Sequence, residues 1–264
     1  MEKPRVPEEI ERRLRGEPLR EETIGASGAR VWIGEELVLK VGAQTEESET
    51  ERVILPWLEG RLPVPRLLAQ VYEDGRVYTL MTRLRGRMLC DPVYLNDPAR
   101  LQELLAQALE LLRGVELTDC PCDAGLNRTL AAARRRVERG LVDPAAAEPG
   151  TFGPGGFRDP EALLAWLERN RPEEELCFTH GDLCLPNILA EGDHITGFLD
   201  CGGMGAADRW RDLALVLRSL RKNLNGDYGG PRYEGYDPDG LLAALGLRRD
   251  EEKLRYYLLL DELF

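Results

Sequence analysis

Two regimes of hydrophobic patterning divide the chain. Up to residue 85, short β-rich runs alternate with turn signals. Gly28-Ala-Arg-Val-Trp-Ile33 is followed by Gly34, and Glu36-Leu-Val-Leu-Lys-Val41 by a polar break, so both read as strands. A helix is predicted from Glu49 to Leu58, ended by Gly60 and by Pro63 and Pro65. Another strand is expected at Arg76 to Thr82, with Thr82 to Gly86 as a connector. The expected product is a small sheet carrying one helix.

Beyond the connector the period changes from 2 to 3.6. Asp97-Pro98 supplies an N-cap and a proline at the first helical position. Leu101, Leu104, Leu105, Ala108 and Leu112 then mark a buried helical face. Asp159-Pro160 repeats the device ahead of Leu163, Leu164, Trp166 and Leu167. Between them, Asp143 to Phe157 is rich in Gly and Pro and reads as a long loop. After Cys177-Phe178, a hairpin is expected with strands Asn187 to Ala190 and His194 to Leu199. Trp210, Leu213, Ala214, Leu217 and Leu220 mark another helix, and a last one is expected to run to Phe264. The division predicts two parts, 1–85 and 86–264, without internal repeats.

Composition narrows the function classes. The 264 residues are 43% hydrophobic and 31% charged, an ordinary balance for a folded soluble protein. With 47 acidic against 35 basic side chains the net charge is −12, which argues against nucleic-acid binding. An acidic field favours cationic partners. The apolar runs are too short to span a bilayer, and Met1-Glu2-Lys3-Pro4 lacks the apolar core of a signal peptide. A cytoplasmic protein with no membrane partner is expected, its oligomeric state open between monomer and weak dimer. The six cysteines fit reduced thiols, because Cys120-Pro-Cys122 does not have zinc-knuckle spacing.

The densest chemical signal is His180-Gly-Asp182-Leu-Cys-Leu-Pro-Asn187, with Asp200 after the hairpin. Phosphoryl transfer needs a carboxylate near the acceptor hydroxyl and oxygen ligands for magnesium. Asp182 suits the first role. Asn187 and Asp200 suit the second, because a hairpin returns Asp200 beside Asn187. A single loop Asp is usually a cap or a turn residue, whereas this spacing between strands points to a site.

These motifs carry a resemblance. Phe178-Thr-His-Gly-Asp-Leu-Cys-Leu-Pro-Asn-Ile188, Gly197-Phe-Leu-Asp-Cys-Gly202, Ala207-Asp-Arg-Trp210 and Leu259-Leu-Asp-Glu-Leu-Phe264 resemble the aminoglycoside 3′-phosphotransferases, in the protein-kinase-like aminoglycoside phosphotransferase family. Trp57-Leu-Glu-Gly-Arg-Leu-Pro-Val-Pro65 and Asp119-Cys-Pro121 extend it through most of the chain. The resemblance implies an α+β, protein-kinase-like two-lobe fold, with a small antiparallel-sheet N-lobe for nucleotide and a larger, mainly helical C-lobe for catalysis and substrate. It implies ATP and Mg2+ as cofactors and an aminoglycoside as substrate, phosphorylated at its 3′-hydroxyl, with antibiotic resistance as the outcome.

Carried over residue by residue, the resemblance makes Asp182 catalytic and Asn187 and Asp200 metal ligands. Lys40 becomes the lysine that reaches the α- and β-phosphates, with Glu51 its helix partner and Glu49 a nearby rival. Ser27, in Gly25-Ala-Ser-Gly28, falls in the turn over the triphosphate, and Arg83 and Leu84 in the connector facing adenine. Asp261, Glu262 and Phe264 fall against the drug's ammonium groups.

The substrate side departs from the family. Gly203 stands where relatives have Arg, and Lys222-Asn223 follow Arg221 where relatives have an acid. The 144–157 loop, often acid-rich in relatives, holds one carboxylate, Glu148. These departures motivate a second reading, a kinase for another small hydroxylated metabolite. A non-enzymatic nucleotide-binding module is a third, and would be expected to lose one of Lys40, Asp182, Asn187 or Asp200.

Overall fold

The computed structural model describes residues 5–22 and 29–264. Helix α1 (Glu8–Leu14) leads into strands β1 (Arg20–Glu22), β2 (Arg30–Ile33) and β3 (Leu37–Gly42). Helix α2 (Glu46–Leu58) precedes β4 (Leu67–Glu73), β5 (Arg76–Thr82) and the short β6 (Arg87–Met88). Helices α3 (Pro92–Leu95), α4 (Pro98–Arg113), α5 (Leu126–Glu138) and α6 (Pro160–Arg169) follow. Strand β7 (Leu176–Thr179), hairpin strands β8 (Ile188–Glu191) and β9 (His194–Phe198), and β10 (Gly205–Asp208) come next. Helices α7 (Arg209–Asn225), α8 (Pro238–Ala244) and α9 (Glu251–Asp261) close the order.

The chain groups into two compact units, Met1–Leu89 with Pro186–Gly203, and Cys90–Leu185 with Met204–Phe264. This differs from a single cut after residue 85, for a reason of strand pairing. Arg87 and Met88 of β6 pair with Ala190 and Leu189 of β8, so the hairpin groups with the sheet-bearing unit.

In the first unit an antiparallel sheet has the order β1-β2-β3-β5-β4, which puts β3 in the middle. Trp32, Leu39, Val41, Ala69, Tyr78 and Leu80 face Ile10 and Leu14 of α1 in one apolar cluster. Full burial of each large side chain contributes roughly 1.5–3 kcal/mol, so this cluster is what holds β3 rigid. Strand β4 is additional to the elements expected from the sequence. It joins β5 through Asp74-Gly75, both with positive φ (51° and 74°), the two-residue hairpin turn that this dipeptide favours. Helix α2 starts at Glu46 rather than Glu49, because Thr45 and Ser48 cap each other's backbone N–H groups.

The second unit is mainly helical. Asp97 and Asp159 accept from Arg100 N–H and Ala162 N–H as N-caps, and the expected leucines of α4 are buried. Helices α1, α3, α5 and α8 were not anticipated by the patterning. In α7 the buried face is wider than the pattern indicates, taking in Asp212, Leu215, Val216 and Ser219, while Leu217 is half-buried. Helix α9 ends at Asp261, not Phe264. Leu263 N–H and Phe264 N–H turn back to Leu260 and Asp261 carbonyls.

A buried polar knot fixes α9 against the start of α7. Fully buried Asp208 caps Trp210 N–H with one oxygen and accepts from Lys253 Nζ and Tyr257 Oη, each at 3.0 Å, with the other. Buried charge is tolerated when paired in this way.

Candidate active site

Lys40 lies on β3, paired across the sheet with Val31 of β2 and Thr79 of β5. Its Nζ donates to Asp200 Oδ1 at 2.7 Å and to Glu51 Oε1 at 3.3 Å. Glu51 reaches it from α2 and is buried, whereas Glu49 accepts from Gln44 and Arg52 at the surface. Geometry therefore selects Glu51 over Glu49 as the lysine's partner. Burial pushes the Lys40 ammonium toward neutrality, but the Glu51 and Asp200 charges outweigh it and hold its pKa above the ordinary lysine value. Lys40 is a fixed positive charge.

The hairpin carries the remaining residues of this group. Ile188 pairs with Phe198, and Leu199 N–H donates to the Asn187 carbonyl at 2.9 Å, so residues 187 and 199 are neighbours. Asp200 follows immediately, with a φ of 54° and its side chain half exposed. That left-handed backbone is one Asp tolerates better than most residues, and such strain concentrates at functional sites. A 3-10 turn, Cys201–Gly203, comes next and packs on α2. A Cβ at Gly202 would lie 2.7 Å from Glu47 Cβ and 3.1 Å from its carbonyl oxygen, so only glycine fits there.

In the second unit, β7 delivers His180-Gly181-Asp182. The Asp212 carboxylate in α7 accepts from His180 N–H at 2.7 Å and from Gly181 N–H at 2.9 Å. Ser219 Oγ accepts from Leu185 N–H at 3.0 Å, and His180 Nδ1 accepts from Asp182 N–H at 3.3 Å. His180 is buried and Gly181 has a φ of 84°, which leaves Asp182 exposed at the tip of a pinned loop. Burial raises the Asp212 carboxyl above the usual range despite these donors. Neither Asp212 nor Ser219 stands out as a functional residue in the sequence. The available signal was a carboxylate at a position where the helical period demands a buried residue.

The acids at the chain end belong to the same unit. Asp261 and Glu262 both face Arg218 of α7. Arg136 of α5 donates from Nε to the Leu263 carbonyl at 2.8 Å, and its guanidinium lies over the Phe264 ring, 5.7 Å from the centroid. In the connector of the first unit, Arg83 N–H donates to the Glu36 carbonyl and Arg83 Nη1 to the Gly34 carbonyl, each at 2.7 Å. Leu84 packs on Gly197, where a Cβ would come within 2.3 Å of its Cδ1. Ser27 and the Gly25–Gly28 turn lie outside the described residues.

Fold and site together define a protein-kinase-like phosphotransferase. The chain belongs to the phosphotransferase enzyme family, whose sequence model matches residues 19–252. It is 34% identical to the aminoglycoside 3′-phosphotransferase of Enterococcus faecalis, over 100% of both chains. Among solved structures it is similar to aminoglycoside-3′-phosphotransferase of type VIII, with a TM-score of 0.79 and 32% identity over 97% of this chain and 98% of that one. Aminoglycoside phosphotransferase APH(3″)-Id from Streptomyces rimosus, in complex with ADP and streptomycin, gives a TM-score of 0.73 and 25% identity over 92% of each chain.

Proposed function

We infer that this chain transfers the γ-phosphoryl group of ATP to the 3′-hydroxyl of an aminoglycoside, inactivating the drug. The end-to-end similarity to a 3′-phosphotransferase carries the substrate class. The Lys40, Glu51 and Asp200 group supports the reaction type.

Each described residue has a role fitted to its setting, and Ser27 has one by the resemblance alone. Lys40, held charged, meets the α- and β-phosphate oxygens, and Glu51 keeps it aimed. Backbone groups at Arg83 and Leu84 face adenine, and Ser27 serves the triphosphate turn. Asp182 accepts the proton of the acceptor hydroxyl, on a loop whose frame Asp212 holds rigid. Asp261, Glu262 and Phe264 receive the ammonium groups of the drug.

The half-exposed Asp200 carboxylate and the Asn187 amide are oxygen donors of the kind Mg2+ takes. Mg2+ takes few protein ligands and keeps water and phosphate oxygens in its shell, so two side-chain donors suffice for it. Mg2+ bound there would neutralise charge on the phosphate oxygens.

No helix among the described residues is long and apolar enough to cross a membrane, and action in the cytoplasm, where ATP is available, follows from the reading. A second acceptor class, a small hydroxylated metabolite, is favoured by one observation: Glu148, Asp261 and Glu262 each already face a cation of the chain. Coupled ADP release separates the readings. Turnover of kanamycin but not of its 3′-deoxy analogue is expected. Equal turnover of the two would remove the 3′ assignment, and turnover of metabolites alone would move the substrate class.

A further inference from the structure

Helix α7 ends in three cations on one face, Arg218, Arg221 and Lys222, at spacings of three and four residues. Three carboxylates face them. Arg218 lies against Asp261 and Glu262; Arg221 Nη2 is 3.3 Å from Glu148 Oε2, and Lys222 Nζ contacts Glu148 Oε1. Glu148 N–H donates to Glu262 Oε2 at 2.9 Å, which ties the 144–157 loop to the chain end. The group is an alternating network with no net charge.

The cations differ in how firmly they are held. Arg218 has a side chain 19% exposed and spans two acids, so it is part of the framework. Lys222 is 29% exposed, sits on a flexible four-carbon stem and pairs with Glu148. Burial works against ionisation of Glu148, but its close contact with the Lys222 ammonium and the charges of Lys222, Arg221 and Arg218 outweigh it and keep its pKa below the usual carboxylate value. Glu148 is therefore an anion at neutral pH, and a primary ammonium already occupies one of its oxygens. A primary ammonium is also the group by which a polycationic aminoglycoside is held.

We propose that Lys222 is a tethered competitor of the substrate's ammonium groups: it holds Glu148 until a drug ammonium displaces it, and so sets the affinity of the site for polycationic acceptors. The proposal rests on the aminoglycoside reading above and names a specificity-determining residue within it. Exchange of one ammonium for another conserves charge at Glu148, so the competition costs little more than one partly exposed ion pair. Such a pair corresponds to about a two- to fivefold change in an equilibrium constant.

The test compares wild type with Lys222→Ala, Lys222→Arg and Lys222→Glu, reading KM for kanamycin and for ATP by coupled ADP release. Lys222→Ala is expected to lower KM for kanamycin about two- to fivefold. Lys222→Glu, which adds an acceptor, lowers it by about tenfold. Lys222→Arg stays near wild type, and KM for ATP is the same in all four. A structural role would instead lower the melting temperature and leave the drug KM unmoved or raised. Should Lys222→Ala lose its fold, Lys222→Gln carries the same comparison. An active wild type whose drug KM does not fall in Lys222→Ala and Lys222→Glu overturns this proposal alone. A wild type that turns over no aminoglycoside overturns the substrate reading and this proposal with it.

Discussion

Lys40 Nζ and Asp200 Oδ1 lie 2.7 Å apart although 160 residues separate them in the chain. The contact brings a central strand of the sheet together with the residue that ends the hairpin, both within the first compact unit. Glu51 completes a group of two carboxylates on one ammonium, and its own carboxyl is raised by burial against the pull of Lys40. Removing the Glu51 charge leaves Lys40 bound to Asp200 alone and free to swing away from the helix side. Glu51→Gln is therefore expected to raise KM for ATP about tenfold, as for loss of one charge-assisted hydrogen bond. Titration of ATP at saturating aminoglycoside checks this. An unchanged KM for ATP would detach Glu51 from nucleotide binding.

Asp182 stands exposed on a loop whose backbone is held by Asp212. Asp182→Asn keeps the side-chain shape and removes the base, so kcat is expected to fall by roughly two to four orders of magnitude. Nucleotide affinity, measured by direct titration without aminoglycoside, is expected to survive because the lysine group belongs to other elements. Near-normal turnover in this variant would reduce Asp182 to a loop residue.

The thiols titrate in a testable order. Burial, followed by the Asp212 and Asp208 charges, pushes the Cys177 pKa up to about 12, and burial raises fully buried Cys201 well above the ordinary thiol value. Only thiolate reacts with iodoacetamide. At pH 8 a thiol with that pKa is about one part in ten thousand ionised, and the fraction grows about tenfold per pH unit. Peptide mapping after brief alkylation at pH 8 is expected to find Cys177 and Cys201 unmodified. For Cys177 the rate keeps rising through pH 10 without a plateau. A plateau near pH 9 would mean that Cys177 is not held in its buried setting.

What the sequence made legible follows from how local each signal is. The Asp97-Pro98 and Asp159-Pro160 caps act over three residues and mark true helix starts. Lys40 stood out as a charge in an apolar strand, and the hairpin placed residues 187 and 199 together through its own short turn. Strand β4 is not legible although Asp74-Gly75 is a hairpin signal, because Leu67–Glu73 does not alternate cleanly and follows two prolines. Helix α5 hides its buried stripe, Leu126, Leu130, Ala133 and Val137, among four arginines. Asp212 and the Glu148 network depend on contacts 31 to 114 residues apart in sequence. No local pattern encodes such pairings.

Arg218 offers the sharpest check on whether the chain-end acids act through charge. Burial raises the Glu262 carboxyl above its ordinary value even with Arg218 beside it. In Arg218→Gln the stabilising cation is gone and the Glu262 pKa is expected to rise further. A carboxyl whose folded pKa exceeds its unfolded value binds more protons in the folded state between those two values, so stability falls as pH rises through that window. At pH 4 Glu262 is largely protonated in both states, and the deficit of the variant is expected to be at its smallest, limited to the lost pair with Asp261. The deficit then opens with rising pH and is fully developed at pH 7, at about 1–3 kcal/mol. That is less than the 3–5 kcal/mol for breaking a fully buried pair, because Arg218 keeps 19% exposure and its contact with Glu262 is a long one, 3.6 Å. Urea unfolding of both proteins at pH 4, 5.5 and 7 measures the difference. A deficit of the same size at all three pH values would assign Arg218 a packing role, and Asp261 and Glu262 would then owe their placement to the turn after α9 rather than to this cation.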